Sequence, residues 1–393
     1  MHASIDTLSL ILILGSTQCL FLAFVFWRAD RGNRRANRIL ALFFLVLPLA
    51  TMNGILYRSG LYRSAPFLIG LEPAFRLLMG PVLFLYVQTL VSPSVAMRKS
   101  LFLHLGGALV LMPLCLPFYL EDRVFKMLFV EVWLHNGRYT AAEYFDRFWY
   151  EIAFELQLWI YLGAIWFKVR RYETMIREAY SSIDSITLAW MRKVLAAFAL
   201  ALAAGTASYL LFFLFLKFRF MYLFAPLAAV FSAYYISYKA FHEPDVFLVA
   251  KPALRAEPQG ELRRKYEKSG ISEEDGDLLL ERLDRAVRSK RPYTDPDLTL
   301  SKLAALLHAS PHHLSQLLNQ RLGTSFYDYV NRLRVEDVKL CLVDPRRIAE
   351  SVLDMALECG FNSKSAFNRI FKQHTALSPT QFRQHAVASP VDE

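Results

Sequence analysis

The sequence is poor in cysteine, with only four Cys among its 393 residues. Cys19 and Cys115 fall inside long apolar runs, whereas Cys341 and Cys359 fall in the charged C-terminal part. No pair has the spacing of metal ligands, and four scattered thiols do not indicate a disulfide framework. We therefore interpret them as free and mostly buried thiols, and we expect neither a metal nor another cofactor.

Charged residues are scarce over residues 1–241 and frequent from His242 onwards, where the composition becomes that of an ordinary soluble protein. The N-terminus lacks the basic region of a signal peptide, so we expect the first apolar run to be retained as a helix. The net charge of +10 fits either anionic lipid headgroups or nucleic acid and does not choose between them. The change in composition at 241/242 predicts a membrane half followed by a soluble half.

Catalytic signatures are also missing. The sequence has no nucleophile elbow, no Walker loop, no kinase motif set and no paired metal-binding His and Asp residues. His312 and His313 are adjacent, so they point to different faces of a helix and make a poor metal pair. A membrane enzyme is therefore disfavoured, and we expect no catalytic residues.

Seven stretches meet or approach the roughly 20 apolar residues that a helix needs to cross a bilayer. They are residues 8–27, 39–57, 73–91, 101–120, 148–167, 194–216 and 220–241. The connection 28–38 carries five arginines, and cytoplasmic loops accumulate Lys and Arg. This places the N-terminus outside. Seven crossings then place residues 92–100, 168–193 and the whole C-terminal part in the cytoplasm, in a multi-pass protein of the inner membrane.

Ionisable residues within predicted spans are costly and suggest function. Glu151 and Glu155 are four residues apart on one helix face, and Arg76 is a candidate partner at the same outer end. These three residues form either an outward-facing ligand pocket or polar contacts between helices, and we favour the second interpretation. The outer connection 121–147 is similarly either a ligand-facing cap or an amphipathic helix lying on the membrane, with the latter favoured.

Residues 242–297 read as a linker followed by a connector helix. Ser272 is a good N-cap, and the acidic residues after it suit the start of a helix. An apolar stripe follows, and its five residues span barely two heptads. Docking on the adjacent domain is therefore favoured over pairing with a second chain. The stripe is Leu279, Leu280, Leu283, Ala286 and Val287.

The C-terminal domain, residues 298–385, contains two predicted helix-turn-helix units at about 301–322 and 349–372, followed by a tail over 386–393. In the first unit, a short helix ends at His308, and Ser310-Pro311 begins a second helix. Short polar side chains share the outer face of that helix, as major-groove readout requires, although a plain solvated face has the same pattern. These side chains are His312, Ser315, Gln316 and Asn319.

The same pattern returns after a long predicted helix over 326–342. Residues 352–358 form a short helix, Cys359-Gly360 forms the turn, and residues 363–374 form the second reading helix. Arg369 is suited to guanine, whereas the lysines are also suited to phosphates. The predicted outer face consists of Lys364, Ser365, Asn368, Arg369 and Lys372.

These motifs, taken in order, resemble the DNA-binding domain of AraC/XylS-type transcription regulators. The resemblance implies two units flanking one long helix, with His312, Ser315 and Gln316 facing bases in the first unit. It implies the same role for Lys364, Ser365, Asn368 and Arg369 in the second. The motifs are Leu303-Ala304, Ser310-x-x-x-Leu314, Asp354-Met355-Ala356-Leu357-Glu358-Cys359-Gly360-Phe361, Ser365-x-Phe367-x-Arg369-x-Phe371-Lys372 and Ser378-Pro379-x-x-Phe382-Arg383.

The chain departs from this family at two positions. His308 stands where a turn glycine is usual, so we expect either a strained conformation there or an altered turn. Cys359 replaces an aliphatic or aromatic residue, and a buried inert thiol is favoured over a redox switch.

The N-terminal half resembles a group in which seven membrane helices precede such a domain, through residues 33–38, Gly54-x-x-Tyr57-Arg58-Ser59-Gly60-Leu61-Tyr62 and residues 265–270.

The expected fold class is therefore all-α: a polytopic membrane bundle of about seven spans plus a C-terminal all-α domain with two helix-turn-helix units. The expected function is a membrane-bound bacterial sensor that binds double-stranded DNA and couples a signal to transcription. Its expected partners are the lipid bilayer and an unknown signal ligand, and a homodimer would gain avidity on repeated half-sites. The alternative is a transporter or channel with a cytoplasmic regulatory helix-turn-helix tail.

Overall fold

The computed structural model describes residues 6–30, 33–91, 116–135, 141–184, 187–213 and 272–388, with short pieces between 102 and 113 and between 227 and 238. The described residues are helical, and they contain no β-strand beyond one isolated bridge between Tyr180 and Thr299. The all-α fold class is confirmed. The chain divides into two compact units, one made of Met1–Arg171 and Leu188–Lys251 and the other of Tyr172–Thr187 and Pro252–Glu393.

The helices of the first unit follow the apolar runs. Stretches 7–28, 34–58, 72–91 and 152–179 are long and apolar enough to cross a bilayer, and they match the first, second, third and fifth predicted spans. The sixth predicted span overlaps α8. The fourth is described only in short pieces, 102–106, 109–110, 113 and 116–120, and the seventh lies largely outside the described residues. The helices are α1 Thr7–Arg28, α2 Arg34–Leu49, α3 Met52–Arg58, α4 Glu72–Val91, α5 Leu116–Leu120, α6 Arg123–His135, α7 Ala141–Ala179 and α8 Ala189–Phe213.

Helix α1 packs against α2, and α2 packs against α4. The side chains of Leu12 and Leu22 on α1 are buried, whereas Phe21 and Phe24 on the same helix are 58% and 63% exposed. Charged side chains are absent between Asp6, which caps α1, and Arg28. The helix is therefore apolar on both its packed face and its open face, as is typical of a helix in the core of a large protein or in a membrane span.

Residues assigned to the outer end of the bundle come together in the first unit. Tyr62, Ile69 and Val130 are buried in one apolar cluster, and Arg63 forms an ion pair with Glu131 at 3.2 Å. Helix α6, which carries Val130 and Glu131, thus packs one face against the connection between α3 and α4. Its opposite face stays open: Val124 and Leu128 are exposed.

The three candidate pocket residues lie in the first unit, with α4 and α7. Arg76 approaches Glu72 at 3.9 Å, and its guanidinium lies over the ring of Phe154, 4.0 Å from the centroid. Glu155 accepts a hydrogen bond of 2.7 Å from the Thr206 hydroxyl of α8. The side chain of Glu151 lies outside the described residues. The ion pair of Arg76 lies within α4, and its cation–π contact reaches α7, whereas Glu155 is linked to α8 by a hydrogen bond. The ligand pocket stays a prediction.

The second unit contains seven helices among its described residues. The apolar stripe of the connector helix α9 docks as predicted: Leu279, Leu283 and Ala286 are buried in one core with Leu303 and Leu314. Ser272 caps α9 by accepting the Asp275 N–H. The helices are α9 Glu273–Lys290, α10 Leu300–Leu306, α11 Pro311–Gln316, α12 Phe326–Val343, α13 Val352–Glu358, α14 Lys364–Thr375 and α15 Pro379–Ala388.

Helix α12 is the long middle helix, and its apolar side chains reach both halves of the unit. Phe326, Tyr329 and Val330 belong to the core shared with α9, α10 and α11. Helix α12 also packs against α13, α14 and α15. Residues 172–187, which the sequence pattern assigns to a cytoplasmic loop of the membrane half, join this second unit in the structure.

Candidate nucleic-acid interface

The first helix-turn-helix unit consists of α10, a turn at His308 and α11. His308 has φ of +53°, the left-handed conformation expected where a glycine is usual. The hydroxyl of Ser310 then accepts the His313 N–H at 3.1 Å, and Pro311 occupies the first helical position. Leu314 is fully buried, which fixes the rotation of α11 about its axis.

Helix α11 continues as one wider π turn over Leu317–Arg321, where the sequence pattern predicts ordinary α-helix. The N–H of Leu322 donates to the Leu317 carbonyl, five residues back, at 3.3 Å. Gly323 then leaves the helix at φ of +60°. The first reading helix, Pro311–Arg321, thus has two kinds of turn, and Leu317 and Leu318 in the wider turn are both buried in the core.

The predicted base-facing side chains of the first reading helix share one face. Asn319 donates to the Ser315 hydroxyl at 3.3 Å, and Gln316 donates to Gln320 at 3.0 Å, one helical turn apart in each case. His312 is half-buried near the start of the helix. These contacts hold short donors and acceptors on the surface, as readout of base edges requires.

The second helix-turn-helix unit consists of α13, the turn at Gly360 and the second reading helix, α14. Gly360 has φ of +94°, and a Cβ there would collide with the carbonyl of Tyr293. Ser363 caps α14 by accepting the Ala366 N–H at 3.2 Å. The buried face of α14 is Ala366, Phe367, Ile370 and Phe371. The exposed residues include all five predicted base-facing positions, Lys364, Ser365, Asn368, Arg369 and Lys372.

Arg369 differs from the other four because its side chain forms an ion pair. Its guanidinium donates at 2.7 Å to a carboxylate oxygen of Asp184 and at 3.2 Å to the hydroxyl of Tyr327 on α12. The side chain of Arg369 is 47% exposed, so it is accessible but not unpaired. The best candidate for guanine recognition is therefore held by an acidic residue that comes 185 residues earlier in the sequence.

A buried arginine was not anticipated from the sequence. Arg334 on α12 is 1% exposed and donates to the carbonyls of Tyr293 at 2.7 Å and Asp295 at 2.8 Å. It also donates to the hydroxyl of Ser181 at 3.1 Å. Burial lowers the pKa of Arg334 to about 10, so it remains charged at neutral pH. One signal was available: Arg334 falls between Val330 and Val338 on the apolar face of α12.

The structure describes both residues that depart from the family pattern, His308 and Cys359. His308 occupies the left-handed turn described above. Cys359 is 3% exposed, and burial raises the pKa of its thiol to about 12. Within the described residues, no group of three His, Cys, Asp or Glu side chains is arranged to hold a metal ion.

The comparisons with known proteins cover part of this chain. The helix-turn-helix domain family matches residues 303–385. An uncharacterized HTH-type transcriptional regulator of Staphylococcus aureus (strain COL) is 38% identical over 87 residues, 22% of this chain and 11% of that protein. The bifunctional transcriptional activator/DNA repair enzyme AdaA of Bacillus subtilis (strain 168) is 29% identical over 108 residues, 28% of this chain and 46% of AdaA. No solved structure matches.

The matched region coincides with the two units built above. It begins on α10, covers both reading helices and ends on α15. The chain spans less than half the length of either relative. The family model leaves the first 302 residues uncovered. The C-terminal part of the chain, residues 303–385, is an AraC-type helix-turn-helix domain.

Proposed function

We propose that this protein is a sequence-specific, DNA-binding transcription regulator anchored in the membrane. The main support for this proposal is that the same helix-turn-helix arrangement occurs twice in the C-terminal domain. Each reading helix follows a short helix and a turn with positive φ at His308 or Gly360, and each exposes polar side chains opposite a fully buried face. Two such helices suit two successive major-groove faces.

The two reading helices contact DNA in different ways. The first presents Ser315, Gln316 and Asn319, which suit adenine and mixed hydrogen-bonding edges. The second presents Arg369 for guanine, with Lys364 and Lys372 beside it for phosphates. Sequence preference should therefore depend on both helices, whereas the salt dependence of binding should come mainly from the second.

Membrane attachment is supported by the four helices that are long and apolar enough to cross a bilayer. The exposure of Phe21 and Phe24 would be unfavourable in water, at roughly 25 cal/mol for each Å² of apolar surface. We further propose that the membrane module responds to a signal and that the C-terminal domain lies in the cytoplasm. The module can act only through a difference in signal affinity between two of its arrangements.

The test of DNA binding uses the full-length protein in lipid nanodiscs. Duplexes are selected from a random pool, and affinity is then measured across a salt series. Arg369→Ala should weaken specific binding by about 1–3 kcal/mol and relax the preference at one base pair. The matched variant Lys372→Ala should weaken all sequences alike and reduce the salt slope by about one. A protein that selects no sequence over bulk DNA refutes the proposal.

The membrane topology has its own test. A reporter fused after residue 393 should be active only in a cytoplasmic form, and a cysteine placed in the connection 59–71 should react with an impermeant maleimide from outside. Labelling of a cysteine in residues 28–38 from the outside would invert the topology. That result would leave the DNA-binding domain unable to reach the chromosome.

A further inference from the structure

The cytoplasmic connection between α7 and α8 is built into the DNA-binding unit. Tyr180 forms an antiparallel bridge with Thr299, just before α10. Ser181 donates to the carbonyl of Leu298 through its N–H at 3.2 Å and through its hydroxyl at 2.7 Å. Ser181 is 1% exposed and also accepts from Arg334. The connection is therefore anchored at this point by buried hydrogen bonds.

Beyond this anchor, the chain continues onto the second reading helix. Asn362, directly before the cap of α14, donates to the Ser182 hydroxyl at 2.6 Å. Two residues after Ser182, the carboxylate of Asp184 accepts a hydrogen bond from Arg369 at 2.7 Å. Residues 182–184, here named the latch turn, thus contact both the start of the second reading helix and its central arginine.

A carboxylate at this place opposes DNA binding in two ways. The guanidinium that donates to Asp184 has fewer N–H groups to offer the O6 and N7 atoms of guanine. The carboxylate also repels the phosphates that would approach Lys364 and Lys372 on the same helix. The latch turn and DNA therefore compete for one arginine.

We propose that the latch turn is an autoinhibitory device, which holds Arg369 until either DNA or a movement of α7 displaces it. This inference rests on the proposed DNA-binding function and adds its regulation. Because Arg369 and Asp184 are both partly exposed, their ion pair is weak and reversible. Because α7 runs without a break to Ala179, a displacement of its membrane-facing part would pull directly on the anchor and the turn.

The first test compares three variants of the full-length protein in nanodiscs on a selected duplex. Asp184→Asn keeps the shape of the side chain and removes its charge, and it should tighten binding about two- to five-fold. Glu336→Gln is the matched control. It removes one negative charge from an exposed site of the same unit, where Glu336 contacts only its neighbour Lys339 among the described residues. Its effect should be less than half as large.

The third variant combines Asp184→Asn with Arg369→Ala. The gain from Asp184→Asn should vanish, because no arginine remains to be released. Equal affinities for Asp184→Asn and Glu336→Gln would overturn the latch, while loss of sequence preference in Arg369→Ala would still support the proposed function. Absence of sequence preference in every variant would instead refute the proposed function, and the latch with it.

A second test locks the turn in place. Cysteines at Ser182 and Asn362 should form a disulfide, since the two native side chains touch. The oxidised protein should bind the duplex at least about ten-fold more weakly than the reduced protein, and reductant should restore binding. Ser182→Cys alone is the control for the native thiols. Equal binding by the disulfide-linked and the reduced protein would overturn the proposal.

Discussion

The guanidinium of Arg334 donates to the side chain of Ser181, and the two residues are 153 positions apart in the chain. The same guanidinium donates to the backbone of Tyr293 and Asp295, at the junction between α9 and α10. One buried charge therefore joins the middle helix of the DNA-binding domain to two other segments. Its partners are carbonyl and hydroxyl oxygens, and a buried cation is stable only if such acceptors remain in place.

Arg334→Lys is expected to destabilise the second unit by about 3 kcal/mol, because a single ammonium cannot reach all the acceptors that the guanidinium fork satisfies. Arg332→Lys, two positions away on the exposed side of α12, should cost less than about 0.5 kcal/mol. Hydrogen exchange of peptides from residues 326–343, followed against urea, measures both. Similar protection in the two variants would contradict the role assigned to Arg334.

Gly360→Ala should cost more than about 2 kcal/mol, since it adds a collision with the Tyr293 carbonyl to the cost of φ at +94°. Gly323→Ala is the matched variant: its φ is +60°, and no atom lies within 4 Å of the added Cβ. It should cost about 1 kcal/mol, from the backbone alone. Thermal unfolding of the two variants separates the steric cost from the conformational one; equal losses would show that the approach to Tyr293 is unimportant.

His308→Gly is expected to stabilise the first helix-turn-helix unit by about 0.5 kcal/mol. It relieves a left-handed residue that costs about 1–2 kcal/mol, less the entropy that glycine loses on folding. His308→Val should destabilise the unit, because a β-branched side chain tolerates positive φ least. The midpoint of urea unfolding should therefore rise for Gly and fall for Val. A lower midpoint for Gly would mean that the imidazole itself contributes to the fold.

Cys359 should resist alkylation in the folded protein. Its thiol is buried with a pKa raised to about 12, so the reactive thiolate is negligible at neutral pH and grows only as pH approaches that value. Cys341, which is partly exposed, should react first. Maleimide labelling at neutral pH followed by peptide mass spectrometry distinguishes the two. Labelling of Cys359 before Cys341 would restore the redox-switch interpretation.

Much of the DNA-binding domain could be predicted from local patterns. The caps at Ser272, Ser310 and Ser363 and the buried face of α14 depend on a few neighbouring residues, whose types identify helix starts and apolar faces. The strained turn at His308 was one of the two outcomes that the family resemblance implied. The docking of the connector helix was predicted from the length of its apolar stripe, which is too short to form a coiled coil. The π turn after α11 was not predicted, because the apolar pattern of Pro311–Arg321 does not distinguish an α turn from a π turn.

Hydrophobic periodicity and capping are local properties, so the helical class, the apolar helices of the first half and the polar faces of both reading helices follow from the amino-acid order. The contact of Ser181 with Arg334 and the pairing of Asp184 with Arg369 depend instead on the packed fold. Nothing in the residues around Ser181 or Asp184 distinguishes them from an ordinary charged loop. Their partners lie more than 150 positions away, and only folding brings these donors and acceptors within hydrogen-bonding distance.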